Sequence, residues 1–142
     1  MALTRDERER FLAEPRVAAL SVDAGKGLGP LVVPVWYRYE PGGDVRVMTD
    51  AGCRKALLIE KAGRFSLMVE CTEPQARYVS VEGPVVRTSP GSIELFREVA
   101  AHYLAPELVE SCVEIAAARY GGERVVFHMR PERWLSRDLS MP

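Results

Sequence analysis

Residues 31–39 (Leu-Val-Val-Pro-Val-Trp-Tyr-Arg-Tyr) form a nearly continuous apolar and aromatic run with a proline inside it. Such a run, closed by Glu40-Pro41-Gly42-Gly43-Asp44, has the composition of a β-strand followed by a tight connection. Proline has no N–H to give to a ladder, so it is tolerated only where the strand has a free side or a bulge. Pro34 therefore predicts a sheet that is open or irregular at this strand.

The rest of the chain repeats the short-strand theme. Thr4-Arg5-Asp6-Glu7 fits a capping box, in which the Thr hydroxyl and the Glu carboxylate satisfy free amides reciprocally. A short helix is expected from there to Ala13, before Pro15. A strand at 17–22 ends in the Gly- and Pro-rich loop 24–30. After the hairpin at 40–44, a strand at 45–49 leads through Asp50-Ala51-Gly52 into a helix at 53–61 that stops at Gly63. Strands follow at 64–70 and 77–87, the latter with a bend or bulge at Gly83-Pro84. Ser89-Pro90 reads as a helix cap followed by proline in the first turn. The helical stretch runs to Leu104, restarts at Pro106 and continues to Tyr120, where Gly121-Gly122 ends it. A sixth strand covers 124–129, and Pro131 opens a polar tail. Strands joined by short turns favour antiparallel pairing. The expected fold is mainly β with peripheral helices, one Greek-key-like, closed or half-closed barrel over residues 1–142.

Charge and cysteine usage exclude several functions. Lys and Arg number 19 against 20 Asp and Glu, a net charge of −1, so no cationic surface for nucleic-acid phosphates is expected. No apolar run reaches a membrane span, and the charged N-terminal stretch lacks a signal peptide's apolar region, which places the chain in the cytoplasm. Cys53, Cys71 and Cys112 are odd in number and widely spaced. With only His102 and His128 beside them, neither a disulfide framework nor a metal site is expected. Cys112, in an apolar helical stretch, is expected to be a small buried hydrophobe.

No GxSxG, GxGxxG, Walker loop or HExxH occurs, and a Ser–His–Asp arrangement would have to be assembled from distant residues. Two segments carry chemistry. In Thr49-Asp50-Ala51-Gly52-Cys53-Arg54-Lys55 a strand turns into a helix that begins with two cations. Cations at a helix N-terminus oppose its dipole, so either they are solvated surface charges or an anion such as phosphate is bound there by them and the first-turn amides. In Pro34-Val35-Trp36-Tyr37 a broken strand offers backbone groups and flat side chains to a planar ring, or buries its aromatics as core. A third segment, residues 77–83, alternates a polar face with a valine face.

Taken in order, residues 11–20, Val33-Pro34-Val35-Trp36-Tyr37, Cys53-Arg54-Lys55-Ala56, residues 77–83 and Arg130-Pro131-Glu132-Arg133-Trp134 resemble the pyridoxamine 5′-phosphate oxidase-like superfamily, especially its flavin/deazaflavin oxidoreductase branch. The resemblance implies an FMN-binding type of split β-barrel. It also implies a homodimer with two cofactor sites at the subunit interface. It puts Val33, Pro34, Val35, Trp36 and Tyr37 against the cofactor ring, Thr49, Cys53, Arg54 and Lys55 around its phosphate, and Tyr78 on the cleft wall from the other subunit. Many relatives have Ser in place of Cys53 and Asn in place of Leu58. The basic and histidine residues that bind substrate in a true pyridoxamine phosphate oxidase are not apparent near the C-terminus. The implied activity is two-electron hydride transfer from a deazaflavin (coenzyme F-420) to a small planar organic molecule. FMN-dependent oxidoreduction and non-catalytic cofactor binding are the alternatives. No side chain of the chain itself is assigned a catalytic role, and neither nucleic acid nor membrane is an expected partner.

Overall fold

The computed structural model describes residues 1–119 and 122–141. Tyr120 and Gly121, at the expected end of the second long helix, lie outside them. Helix α1 (Arg5–Ala13) opens on the expected capping box: Thr4 Oγ1 accepts from the Glu7 amide at 3.2 Å, and Glu7 accepts from the Thr4 amide at 3.0 Å. Strand β1 (Ala18–Val22) pairs antiparallel with β2 (Leu31–Val35), Ala19 lying opposite Pro34. β2 is an edge of the sheet, the position where a residue without an N–H is tolerated.

The strand expected to reach Tyr39 stops at Val35. Past the proline, the Tyr37 amide donates to the Tyr103 hydroxyl at 3.1 Å instead of to a strand. The hairpin reduces to one antiparallel bridge, Arg38 to Arg46, with the turn closed by the Gly43 amide on the Glu40 carbonyl at 2.9 Å. That bridge joins the extension of β2 to β3 (Val45–Asp50). β2 and β3 are the two ends of the strand path, so the bridge curls the sheet into a half-barrel.

Between those ends run β4 (Arg64–Cys71), β5 (Arg77–Pro90) and β6 (Arg124–Met129), in the order β2-β1-β4-β5-β6-β3. Strand β5 spans both halves of the barrel. Its first part pairs with β4, its last part with β6, and the register slips between Val85 and Arg87, just past the bend expected at Gly83-Pro84. Alternate residues point inward: Leu20, Val45, Val47, Leu67, Val79, Val81 and Phe127 are essentially inaccessible. Leu12 of α1 with Ala56 and Ile59 of α2 (Arg54–Ala62) pack into the same core.

Three further sequence expectations are corrected. Ser89 and Pro90 do not cap a helix. They are the last residues of β5, opposite Val126 and Val125, and the cap of α3 (Ile93–Tyr103) is Ser92, whose side chain accepts from the Leu95 amide. The polar tail after Pro131 is a seventh strand, β7 (Arg133–Asp138), antiparallel to β5. Cys112 of α4 (Pro106–Arg119) is half-buried, since the buried stripe of that helix is Val109, Val113 and Ala116.

Candidate functional site

The turn between β3 and α2 is built by Gly52. Its φ of +85° is a left-handed conformation that a side chain would disfavour. The turn is tied down by the Ala51 amide on the Glu123 carbonyl (2.9 Å) and by Asp50 beside Arg124 (3.7 Å). Helix α2 then starts without compensation: its N-cap Cys53 makes no side-chain cap bond, and its first turn contains no acid. The first amides of a helix have no partner within it, and here the added charges are Arg54 and Lys55.

Lys55 is half-buried and lines a cleft of about 450 Å³. Pro34, Val35, Trp36 and Tyr37, around the end of β2, line it as well, with Val17. Arg46 and Met48 of β3 with Phe96 and Val99 of α3 complete it. Trp36 is held in place by stacking on Tyr103 at 4.9 Å and 6° and by Phe96 at 6.4 Å. Those contacts make it part of the second core, beneath α3 and α4. Tyr37 is 2% exposed, and its hydroxyl donates to the Leu12 carbonyl at 2.7 Å. Burial pushes its pKa well up, so it stays protonated.

The structure thus gathers Pro34, Val35, Trp36, Tyr37 and Lys55 around one cleft and leaves the other expected residues outside its walls. Val33 lies opposite Leu20 and packs on the core. Cys53 also packs on the core, its sulfur 3.4 Å from the Thr49 hydroxyl. Arg54 is exposed beside the helix start. Tyr78 is half-buried on β5 between Glu70 and Arg137. Arg46, Met48, Phe96 and Val99 were not expected. The outward period of β3 and the i, i+3 spacing on α3 carry them, but nothing in the sequence says that those two faces meet.

A second feature has no local sequence signal. Ser89 Oγ lies 2.9 Å from His128 Nε2, residues 39 apart in sequence. Among the described residues no group of three or more His, Cys, Asp or Glu could hold a metal ion, and no helix is long and apolar enough to cross a membrane.

No family model matches the chain, and no curated protein matches it. Solved structures do. An F-420 reductase superposes with a TM-score of 0.72 at 20% identity, over 89% of this chain and 94% of that one. An FAD-binding protein from Mesorhizobium loti gives 0.62 at 20%, over 96% and 95%. A putative pyridoxamine 5′-phosphate oxidase from Listeria innocua gives 0.59 at 15%, over 96% and 98%. The half-barrel bounded by β2 and β3, with its four helices among the described residues, is the split β-barrel fold that these structures share.

Proposed function

We propose that this chain is one half of a homodimeric oxidoreductase that holds a deazaflavin (coenzyme F-420), with FMN as the alternative cofactor, in the cleft between Trp36 and Lys55. The observation that carries the proposal is the meeting of a broken strand with an uncapped, cationic helix start. The cleft volume and its apolar walls at Trp36, Met48, Phe96 and Val99 suit a planar ring. The free first-turn amides of α2 and Lys55 suit a phosphate. The F-420 reductase and FAD-binding neighbours support a flavin-type group.

Such a ring, when bound, supplies the hydride chemistry. The residues of the chain position it. Pro34–Tyr37 would flank it with backbone groups freed from the ladder, Lys55 would neutralise the phosphate from inside the cleft, and Arg54 would act from the exposed side. Tyr78 sits on an open outer face, away from the cleft of its own chain, and is assigned to the wall of a second copy's cleft. That open face gives the dimer its rationale. Pro34, Ala19, Met68, Ser80 and Leu135 follow one another across five strands, and Val32 and Leu135 beside or within that row are 60% and 61% exposed. Val17 and Pro34 line both the cleft and a groove on this face, so a copy seated there would also close the cleft.

The test compares FMN with riboflavin, which lacks the phosphate, by fluorescence titration. A charge-assisted bond contributes about 1.5–3 kcal/mol, so Lys55→Ala is expected to weaken FMN about ten- to hundredfold, leave riboflavin nearly unchanged and act more strongly than Arg54→Ala. Equal losses for the two ligands would show that Lys55 acts through structure, and no loss for either would remove the cofactor from this cleft.

A further inference from the structure

A second cavity, of about 230 Å³, lies between α3 and the outer face of β3, β6 and the end of β5. Its floor is set by register: Arg46 lies opposite His128, and Met48 opposite Val126, which is opposite Ser89. Leu95, Glu98 and Val99 of α3 form its roof, and Arg38 and Glu40 close one end. It shares Arg46, Met48 and Val99 with the first cleft, so molecules in the two would be neighbours.

The polar groups of this cavity are unevenly matched. Arg46 is paired with Glu40 at 3.0 Å. Arg38 is half-buried and has no ion-pair partner among the described residues. Its backbone is fixed by two bonds to Arg46, at 3.0 and 2.9 Å. A partly desolvated guanidinium that lacks a counter-charge favours an incoming anion, and its planar fork matches a carboxylate. The remaining acid, Glu98, is exposed, where solvent and salt screen it. The Ser89–His128 pair adds a hydroxyl to the floor. In the tautomer protonated at Nε2, His128 donates to Ser89 Oγ and leaves the serine proton for a ligand. Met48, Leu95, Val99 and Val126 supply apolar contact.

We propose that this cavity binds the carboxylate of a small organic acid, held by Arg38 and Ser89, with its apolar body against Met48 and Val99. Resting on the cofactor reading of the first cleft, the acid is the substrate class of the oxidoreductase, its far end directed toward the ring. At about 30 Å³ per water, the cavity equals roughly eight waters, room for a single-ring acid and too little for a three-ring cofactor.

Calorimetric titration of the full chain with benzoate and with benzamide, its neutral isostere, tests this with and without FMN. Benzoate should bind at least about tenfold more tightly than benzamide. Arg38→Gln should erase that preference while leaving the thermal midpoint and FMN titration unchanged, and Arg38→Lys should restore part of it. Benzoate should still bind the FMN-loaded protein. Equal binding of the two probes, a preference that survives Arg38→Gln, or displacement of benzoate by FMN would overturn the assignment. Benzoate binding as described in a chain that takes no FMN would leave the acid site standing and remove its role as substrate site. FMN binding without a benzoate preference would remove the acid site and leave the cofactor reading of the first cleft standing.

Discussion

The two outer faces of the curled sheet are finished differently. Over β3 and β6, α3 contributes Leu95, Glu98 and Val99, and the helix pair builds a small core of its own from Ala100, Val109 and Val113 with Trp36, Phe96 and Leu104 against it. Over β2, β1, β4, β7 and the first part of β5, the outward residues stay open: Val32 and Pro34 are exposed, Met68 and Tyr78 half-exposed, and Leu135 exposed. Both halves share one interior, so the difference does not come from the barrel core. The covered face gains concave spaces lined by basic and aromatic groups, where small molecules fit. The open face presents a flat row with apolar members, which suits another sheet. The proposed chemistry and the proposed assembly therefore fall on opposite halves of one sheet, and the cleft lies where they meet.

The largest expected effect is at the joint between the halves. A Cβ on Gly83 would lie 1.8 Å from the Arg130 carbonyl oxygen and 3.3 Å from the Glu132 amide nitrogen. Both belong to backbone tied to β5, through the Arg130 amide on the Pro84 carbonyl and the Glu132 amide on the Glu82 carbonyl, each at 2.9 Å. Neither side can yield cheaply. Gly83→Ala is expected to destabilise the chain by about 3 kcal/mol, at the upper end of ordinary overpacking, as read from the urea midpoint with slope unchanged. An unchanged midpoint would mean that the halves are loosely joined.

A smaller effect is expected from the open face. Leu135→Glu places a charge in the middle of the proposed contact, once per copy. Losing burial of two partly exposed leucines amounts to about 2 kcal/mol, close to thirtyfold in dimer affinity. Sedimentation at several concentrations should show a parent dimer and a variant that dissociates, with little change in the unfolding of the monomer. A parent that is monomeric at micromolar concentration would break the division between faces. The same substitution logic applied to Leu108, 52% exposed on α4, should leave assembly unchanged.

The split between what could and could not be read from the sequence follows the same division. Strands β1 and β3 to β6 were legible because their inward residues are apolar at period two. Strand β7 was not, because its pattern is inverted: Ser136 and Asp138 point inward and are buried, while Leu135 points out. The polar groups are tolerated because Ser136 Oγ accepts the Leu3 amide at 3.2 Å and Asp138 pairs with Arg77 at 2.9 Å. Those partners are more than sixty residues away along the chain. Ser89-Pro90 misled for a related reason, since a serine before a proline satisfies the local rules for a cap, and only the register with β6 makes it a strand end. In the cleft, the irregular strand marked by Pro34 and the cationic helix start at Arg54 and Lys55 were both visible, but the end of β2 at Val35 was not. That Arg46 and Phe96 complete the cleft depends on the path of α3 over the sheet, which no local pattern encodes.

The smallest expected effect is a pH dependence confined to the covered half, where both histidines lie. His128 is held below the ordinary imidazole range by burial first, then by Arg87 and Arg46, against the opposing pull of Asp44. His102 is held low by burial and by Arg38, against a backbone hydrogen bond at Ala13. A depressed base binds fewer protons in the folded chain than in the unfolded one. Stability is therefore full above about pH 6.5, the ordinary histidine value, and falls as pH drops below it. The carboxylates held low, Asp138 chiefly through Ser140 and Glu7 through Thr4, lose their contribution only below the ordinary carboxylate range, so the interval between about pH 6.5 and 5 isolates the histidines. Urea midpoints should decline modestly across that interval in the parent and less in His102→Gln/His128→Gln. Leu135→Glu should keep the parent's slope, because it alters the opposite face. A midpoint that rises on acidification, or a double variant with the parent's slope, would show that the titrating groups belong elsewhere and that the two faces are not electrostatically separate.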